Sequence, residues 1–310
     1  MKILVTCPPM IRMIDELDYL FDGSHIEVHC PEVVQTLSED ELIELVPKFD
    51  GWIIGDDPAT AAVFEAGKAG RLKAAVKWGI GVDNVDLDAA KSLGIPITNT
   101  PMMFGGEVAD IAMSYVVALA RETIAIHTGV TAGKWPKPRG ISLAGRTMGL
   151  IGFGDIGRNV ARRAQAADMR VIAFDPCFAP VDGLGDVEPC VWPERLAECD
   201  FLVFTCALNA GNFHMLNNDA LEQAKPNVRV VNVARGGLID ESALIGGLES
   251  GKVHSVALDV FEVEPLRRDS PLRAYPRNVF GSHNGSNTSD AVTRASEQAV
   301  SILLESLESI

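Results

Sequence analysis

The chain has 310 residues, of which 47% are hydrophobic, 22% are charged and 6% are aromatic. This length is sufficient for two domains, and the composition is typical of a folded globular protein rather than a disordered one. The formal net charge of −15 gives a surface that repels phosphate backbones and anionic lipids, so neither nucleic acid nor a membrane is expected as a partner.

The N-terminal residues MKILVTCPP contain an apolar run far shorter than the core of a signal peptide, and no apolar stretch is long enough to cross a bilayer. The cysteines lie apart, without a C-x-x-C pair or a neighbouring histidine cluster, whereas a zinc site needs closely spaced ligand pairs. We therefore expect no metal site, reduced thiols and a cytoplasmic location. The six cysteines are Cys7, Cys30, Cys177, Cys190, Cys199 and Cys206.

Short β-rich segments alternate with helical stretches from the first residues onward. In the first 80 residues, the predicted strands are Ile3–Thr6, Ile26–Cys30, Gly51–Ile54 and Ala74–Lys77. Ser38 and Glu41 have the spacing of a capping box, which predicts the start of a helix between the second and third strands. This alternation favours a parallel sheet covered by helices.

The segment 107–126 contains neither Gly nor Pro and carries apolar residues at helical spacing, which predicts one long helix. The segment 133–138, with the sequence GKWPKP, is predicted to be a loop. The apolar face of the helix is wide enough either for a domain core or for a subunit interface, and the sequence does not distinguish these two.

After residue 140 the strand pattern begins again. The predicted strands of this second set are Thr147–Ile151, Arg170–Phe174, Phe201–Thr205, Val228–Val233, Val253–Leu258 and Val279–Gly281. Six parallel strands with intervening helices form a complete doubly wound sheet. The fold class is therefore predicted to be α/β with two doubly wound domains.

A glycine-rich motif directly follows the strand Thr147–Ile151. Its sequence, GFGDIG, matches G-x-G-x-x-G, and an apolar helical stripe follows it, which favours a dinucleotide site over a purely structural turn. Asp175 ends the next strand, where a carboxylate can bind the hydroxyls of the adenosine ribose. No Arg or Lys adjoins Asp175, so NAD is favoured over NADP. The motif residues expected to contact NAD are Gly152, Gly154, Asp155, Ile156 and Gly157.

Three ionisable residues follow predicted strands of the second set, namely Arg235, Glu264 and His283. The carboxyl ends of parallel strands face the ligand crevice of a doubly wound sheet. An Arg can bind a carboxylate, and a His beside a carboxylate can move a hydroxyl proton near neutral pH. Taken one at a time, each residue could equally form a surface ion pair or cap a strand. The remaining histidines, including His214 and His254, are predicted to be structural.

Together these segments resemble the D-isomer-specific 2-hydroxyacid dehydrogenase family over essentially the whole chain. The resemblance rests on an ordered set of motifs: GIGVDNVD at 79–86, GIPITNTP at 94–101, the glycine motif with Asp175, NVARGG at 232–237, LDVF at 258–261 with Glu264-Pro265, and His283. It implies a Rossmann NAD domain at 101–283, inserted in a flavodoxin-like substrate domain formed by 1–100 and 284–310.

The resemblance also implies roles for individual residues. His283 would be the general acid/base, Glu264 its carboxylate partner, and Arg235 the residue that binds the substrate carboxylate and carbonyl oxygen. The backbone amides of Ile80 and Gly81 would hold the other side of that carboxylate. Further NAD contacts would come from Thr205, Ala207, Ala234 and Asp259. Hydride would pass between nicotinamide C4 and C2 of a small 2-hydroxy or 2-keto acid, and a homodimer is expected.

The chain departs from the family pattern at three places: Met102-Met103-Phe104 after Pro101, Asn284 after His283, and Ala207 where proline is usual. Lys77, beside the loop 78–81, faces either water or the substrate. In the second case it would suit a substrate with a second anionic group, whereas the apolar segment 102–104 points to an apolar pocket.

Two other functions stay open from sequence. Some relatives of this fold act as NAD-sensing corepressors without catalysis, although an intact Arg235, Glu264 and His283 argues against that interpretation. Oxidation of another small anion, such as phosphite or formate, is the second alternative.

Overall fold

The structure is a computed structural model that describes residues 1–22 and 25–309. It contains two compact units, one formed by Met1–Met103 with Asn287–Ile310 and the other by Phe104–Ser286. Gly23, Ser24 and Ile310, which belong to the predicted substrate domain, lie outside the described residues. Among the described residues, no helix is both long and apolar enough to span a membrane.

The strands and helices are numbered separately along the chain. The strands are β1 (Lys2–Val5), β2 (Glu27–His29), β3 (Gly51–Ile54), β4 (Ala74–Lys77), β5 (Ile97–Asn99), β6 (Thr147–Ile151), β7 (Arg170–Phe174), β8 (Val187–Cys190), β9 (Phe201–Phe204), β10 (Val228–Asn232), β11 (Val253–Leu258) and β12 (Val279–Phe280). The helices are α1 (Pro8–Arg12), α2 (Glu39–Leu45), α3 (Ala61–Ala69), α4 (Leu87–Ser92), α5 (Gly105–Arg121), α6 (Thr123–Thr131), α7 (Asp155–Ala166), α8 (Asn218–Gln223), α9 (Glu241–Ser250) and α10 (Ser289–Glu308).

The smaller unit contains a parallel sheet in the order β2-β1-β3-β4-β5, the flavodoxin-like order. The four predicted strands are present, and β5 was not predicted because this short, partly exposed edge strand has little hydrophobic pattern. The predicted capping box is confirmed, since the Glu41 amide donates to Ser38 Oγ (3.3 Å) and the Ser38 amide donates to Glu41 Oε2 (2.8 Å). The core between the sheet and helices α2 and α3 includes Trp52 and Phe64, both fully buried.

The larger unit contains seven parallel strands in the order β12-β11-β10-β9-β6-β7-β8. The order reverses beside β6, as in a Rossmann sheet, and ligands bind at such a reversal point. The six predicted strands are confirmed in position, whereas β8 was missed. It is an edge strand that contains Pro189, a residue that lowers the strand signal and is tolerated mainly at sheet edges.

The prediction of a single helix over 107–126 is wrong, because the helix ends at Arg121 and a second one starts at Thr123. Glu122 between them has a left-handed backbone, with φ of +54°. The Ile141 amide donates to the Ala120 carbonyl (2.8 Å), which occupies the acceptor that a continuing helix would use. The side chain of Arg229 donates to the Leu119 carbonyl (3.3 Å). Tertiary contacts therefore end α5, while the predicted loop over 133–138 is confirmed.

Candidate active site

The glycine loop between β6 and α7 shows three separate reasons for glycine. Gly152 has a φ of +99°, and a Cβ there would lie 2.6 Å from the Cys206 amide nitrogen. A Cβ on Gly157 would overlap the Gly152 carbonyl oxygen, so this glycine permits close packing of helix on strand. A Cβ on Gly154 would meet nothing within 4 Å, and no side chain caps the helix that starts after it. The loop thus combines a tight turn with open space at a helix N-terminus, which suits a pyrophosphate.

Asp175 lies at the end of β7, next to the glycine loop. Its Oδ2 accepts the Phe153 amide (2.6 Å) and its Oδ1 accepts the Cys177 amide (2.7 Å). These two bonds fix the carboxylate, and an ionised carboxylate has about four acceptor positions. Two acceptor positions of the Asp175 carboxylate therefore remain for two ribose hydroxyls. The glycine loop and Asp175 together fit NAD.

Four other predicted cofactor residues lie around this loop. The Thr205 hydroxyl donates to the Gly152 carbonyl oxygen (2.9 Å), which ties β9 to the glycine loop. The carbonyl oxygen of Ala207 accepts a bond from the side chain of Asn212 (2.8 Å). Ile156 is partly exposed in the first turn of α7. The carboxylate of Asp155 is directed at the start of α5, where a Cβ on Gly105 would overlap it.

His283 and Glu264 follow neighbouring strands, β12 and β11, and the structure brings them together. The Nδ1 atom of His283 lies 2.8 Å from Oε2 of Glu264, and each side chain is 20% exposed. A carboxylate that accepts the Nδ1 hydrogen orients the imidazole ring, and proton transfer would then use Nε2. The second oxygen of Glu264 accepts the Phe261 amide (3.0 Å), which fixes the carboxylate in place.

Arg235 follows the adjoining strand, β10, in a turn shaped by the side chain of Asn232. The amide group of Asn232 is buried, accepts the Ala234 N–H (3.0 Å) and donates to the Arg235 carbonyl (2.8 Å). Arg235 Nη1 donates to the Ala234 carbonyl (2.9 Å). The three predicted catalytic residues therefore follow three adjacent strands of one sheet, where parallel strand ends form a ligand crevice.

Asp259, predicted to contact nicotinamide, anchors the loop that carries His283. Its carbonyl oxygen accepts the His283 amide (2.7 Å), and its buried carboxylate accepts the amides of Asn284 (3.2 Å) and Gly285 (2.8 Å). Tyr115 on α5 donates its hydroxyl to Asp259 Oδ1 (3.3 Å). Burial and this neighbouring carboxylate raise the pKa of Tyr115, so the hydroxyl keeps its proton. Sequence reasoning missed Tyr115, because no local pattern connects it to Asp259.

In the smaller unit, Lys77 does not face water, because only 3% of its side chain is exposed. Its ammonium lies 3.3 Å from Asp56 Oδ1 and donates to the Trp78 carbonyl oxygen (2.8 Å). Asp56 and Trp78 follow the carboxyl ends of β3 and β4, on the same side of the sheet as the loop 78–81. The positive charge of Lys77 is thus compensated within the smaller unit.

The loop 78–81 is held by the chain that follows β5. The Gly79 amide donates to Thr100 Oγ1 (2.8 Å), and the side chain of Asn99 donates to the Ile80 carbonyl (2.8 Å). Among the described residues, neither the Ile80 nor the Gly81 N–H has a hydrogen-bond partner. Two adjacent unpaired amides in a fixed loop suit an anionic oxygen.

The segment after Pro101 contains residues of different exposure. Met102 is 73% exposed and has a φ of +59°, whereas Phe104 is buried at the start of α5. Asn284, the second departure from the family pattern, takes part in the Asp259 anchor through its backbone amide.

One cluster of possible metal ligands occurs among the described residues, formed by His214, Asp240 and Glu262 with ligand atoms within 4.8 Å of one another. His214 Nε2 lies 2.7 Å from Glu262 Oε1. This separation is shorter than the roughly 3.3 Å between two ligands of a tetrahedral ion with bonds of about 2.0 Å. The sequence did not indicate this contact, since the three residues lie far apart along the chain.

Comparison with known proteins shows which family and which structures this chain resembles. Residues 113–285 match the family model described as the D-isomer specific 2-hydroxyacid dehydrogenase NAD binding domain. A hydroxypyruvate reductase from Thermotoga maritima is 38% identical over 278 residues, 87% of this chain and 89% of the relative. The solved structure of a glyoxylate reductase from Paecilomyes thermophila is 29% identical with a TM-score of 0.85, covering 99% of this chain and 95% of the other.

Phosphoglycerate dehydrogenases are also similar to this chain. The human D-3-phosphoglycerate dehydrogenase is 37% identical over 268 residues, 85% of this chain. The match covers 50% of that relative, so this chain spans about half the length of the phosphoglycerate dehydrogenase. The family match and the glycine loop with its Asp175 together confirm the expected cofactor and reaction class. The chain therefore belongs to the D-isomer specific 2-hydroxyacid dehydrogenase family and is an NAD-dependent oxidoreductase.

Proposed function

We propose that the protein interconverts a short monoanionic 2-keto acid and its D-2-hydroxy acid, with hydroxypyruvate as the first substrate to test. The observation that carries this proposal is the bond between His283 Nδ1 and Glu264 Oε2 at the end of adjoining strands. The similarity to a hydroxypyruvate reductase supports the choice of substrate. The charge compensation of Lys77 by Asp56 supports a substrate with one anionic group.

His283 is proposed as the general acid of carbonyl reduction. Glu264 accepts the Nδ1 hydrogen and stabilises the positive charge of the protonated ring. Nε2 donates a proton to the carbonyl oxygen as that oxygen becomes a hydroxyl, and it accepts the proton in the reverse direction. When bound, NADH supplies the hydride that adds to C2 of the substrate.

Arg235 is proposed to bind the substrate carboxylate and to polarise the carbonyl oxygen. A guanidinium can hold a carboxylate through two parallel hydrogen bonds, which also orients the adjacent carbonyl. The amides of Ile80 and Gly81 are proposed to hold the other carboxylate oxygen, and Lys77 is proposed to support this loop through the Trp78 carbonyl.

The remaining roles follow from these. The unit formed by 104–286 is proposed as the NAD domain, and the unit formed by 1–103 and 287–309 as the substrate domain. Gly152, Gly154, Asp155, Ile156, Gly157, Asp175, Thr205, Ala207, Ala234 and Asp259 are proposed to contact NAD. The protein is proposed to act in the cytoplasm without a nucleic-acid or membrane partner, as its net charge of −15 favours.

A homodimer is proposed through the region that contains α5 and α6. Apolar side chains are exposed there, namely Val117, Ile124, Val130 and Trp135. Such side chains on neighbouring helices and loop are typical of an interface. Sedimentation should give about twice the 33.3 kDa chain mass at micromolar concentration. A monomer at that concentration would refute the dimer.

The deciding experiment is an assay of NADH oxidation with hydroxypyruvate, glyoxylate and other 2-keto acids. We expect turnover by the unmodified protein. Arg235→Ala is expected to lower kcat and to weaken substrate binding. Binding of NADH in a fluorescence titration without turnover of any acid in the panel would instead support a non-enzymatic NAD sensor.

A further inference from the structure

We propose that Ser296 on α10 is a positioning residue, which fixes the loop 78–81 by accepting a hydrogen bond from the side chain of Trp78. This inference rests on the proposed function, in which the amides of Ile80 and Gly81 hold the substrate carboxylate. Ser296 lies 218 residues from Trp78 along the chain, but both residues belong to the same compact unit.

The hydrogen bond between these two side chains is buried. Nε1 of Trp78 donates to Oγ of Ser296 (3.1 Å), with Trp78 only 5% exposed and Ser296 fully buried. The indole N–H is the single polar group of a tryptophan side chain, and it can only donate. A buried donor that loses its acceptor is not compensated by bulk water, so the pair favours one position of the indole.

The composition of α10 points to the same role for Ser296. The helix packs against β3 and β4, and its described buried residues are apolar except for this serine. An alanine would fill nearly the same volume and has a higher helix propensity. The serine hydroxyl therefore needs a reason other than packing or helix formation, and the Trp78 N–H supplies one. The apolar buried residues of α10 are Ala291, Val292, Ala295, Ala299, Val300 and Leu303.

The main chain of the loop turns directly after Trp78. The Trp78 amide donates to the Ile54 carbonyl (2.9 Å), which keeps this residue at the end of the sheet. Gly79 has a φ of +114°, and its amide donates to Thr100 Oγ1 (2.8 Å). A displaced indole would therefore move the point from which the turn toward Ile80 starts.

A second side chain of α10 contacts the other segment beside this loop. The guanidinium of Arg294 donates to the Met103 carbonyl oxygen, in the segment that follows β5. The same segment carries Thr100, which bonds Gly79. Through Ser296 and Arg294, α10 thus holds both segments that border the proposed carboxylate site.

The expected effect of Ser296 is on substrate binding rather than on hydride transfer. The substrate carboxylate is bound in the ground state and in the transition state, so a less ordered carboxylate site raises KM and leaves kcat nearly unchanged. NADH is proposed to bind the other unit, so its affinity should not change. A purely structural role would instead lower the free energy of unfolding without changing KM.

The test compares Ser296→Ala, which removes the acceptor, with Ser301→Ala, which removes an exposed hydroxyl from the same helix. We expect Ser296→Ala to raise KM for the 2-keto acid by about 3- to 10-fold, the range that the loss of one hydrogen bond gives, with less than about a twofold change in kcat and in NADH affinity. Ser301→Ala should behave as the unmodified protein.

A double-mutant cycle identifies the partner of Ser296. Trp78→Phe removes the N–H and keeps an aromatic ring, so Ser296→Ala should raise KM no further in that background. If Ser296→Ala raises KM by the same factor with and without the indole, the serine acts by another route and the proposal is wrong.

A second measurement is independent of turnover. Amide hydrogen exchange over 78–81 should speed up in Ser296→Ala and in Trp78→Phe, and it should stay unchanged in Ser301→Ala. An unchanged KM or an unchanged exchange rate in Ser296→Ala would overturn the role of Ser296. Absence of turnover in the unmodified protein would refute the proposed function instead, and the exchange measurement would still decide whether Ser296 holds the loop.

Discussion

The ammonium group of Lys77 lies 3.3 Å from the carboxylate of Asp56, and the lysine side chain is almost fully buried. The negative charge of Asp56 offsets the electrostatic attraction that the Lys77 ammonium would exert on a second anionic group of the substrate. The same ammonium donates to the Trp78 carbonyl (2.8 Å), which connects Lys77 to the first residue of the loop 78–81. The Lys77–Asp56 pair therefore favours a substrate with one anionic group over a substrate with two.

Lys77→Met should lower kcat/KM by about tenfold for both mono- and dianionic 2-keto acids, because the loop loses support whichever substrate binds. The comparison needs steady-state kinetics with matched acids of each charge. Lys73→Met is a suitable control, since Lys73 is an exposed residue that pairs with Asp50 just before β4. A loss confined to dianionic acids would show that Lys77 binds a second anionic group directly.

Replacing the proposed catalytic residues, His283 and Glu264, should lower turnover without changing the affinity for the cofactor. We expect His283→Ala to lower kcat by roughly 10²–10⁴-fold, the usual scale for a positioned acid/base. Glu264→Gln should cause a smaller loss, because an amide oxygen can still accept the Nδ1 hydrogen but carries no charge. Fluorescence titration should show unchanged NADH affinity in both variants. Near-normal rates for His283→Ala would refute its assignment.

Asp175 should determine the cofactor preference. Its carboxylate, fixed by the amides of Phe153 and Cys177, would repel the 2′-phosphate of NADP and bind the hydroxyls of NAD. Asp175→Ala should therefore raise KM for NADH and narrow the ratio of kcat/KM between NADH and NADPH. Equal use of the two cofactors by the unmodified protein would contradict this expectation.

Gly236 and Gly246 provide a matched pair of glycine substitutions. Gly236→Ala would force a methyl group into the Phe261 backbone and should lower the free energy of unfolding by about 1–3 kcal/mol, as overpacking does. Gly246 lies inside α9, and a Cβ added there would meet no atom within 4 Å, so Gly246→Ala should stabilise the fold by about 0.5–1 kcal/mol. Urea unfolding checks both. Equal effects of the two substitutions would argue against the close contact at Gly236.

His254 should make the fold sensitive to mild acid. Burial, together with the nearby Arg229 and Arg277, lowers the pKa of His254 from 6.5 to about 4. The unfolded chain binds a proton here below pH 6.5, whereas the folded chain does not until about pH 4, so stability falls as the pH drops through this interval. His254→Asn should flatten the dependence of the urea midpoint on pH between 6.5 and 4. An unchanged slope would contradict this attribution.

Features with local signals were predictable from the sequence. The capping box at Ser38 and Glu41 depends on two residues of one turn, and it was identified from their spacing. The glycine loop likewise depends on a strand, three glycines and a helix in succession. The carboxyl ends of parallel strands lie on the same side of their sheet. Strand prediction was therefore sufficient to expect Glu264 and His283 near each other.

Features that depend on distant partners were not predictable in this way. The end of α5 at Arg121 is decided by Ile141 and Arg229, which bond the last carbonyls of the helix. The edge strands β5 and β8 have weak hydrophobic patterns because their side chains are partly exposed. Each becomes a strand by hydrogen bonding to its neighbour in the sheet, β4 or β7. In each case the local sequence is compatible with more than one conformation.

The sequence by itself predicted the α/β class and the cofactor loop, because these depend on strand periodicity and on the spacing of three glycines. It indicated the three catalytic candidates through their positions after predicted strands and through the ordered motifs that resemble a known family. Only the tertiary structure decided that Lys77 is buried against Asp56 and that His214 lies 2.7 Å from Glu262. Those contacts connect residues far apart along the chain, and their free energy depends on burial and charge that arise only when the sheets have packed.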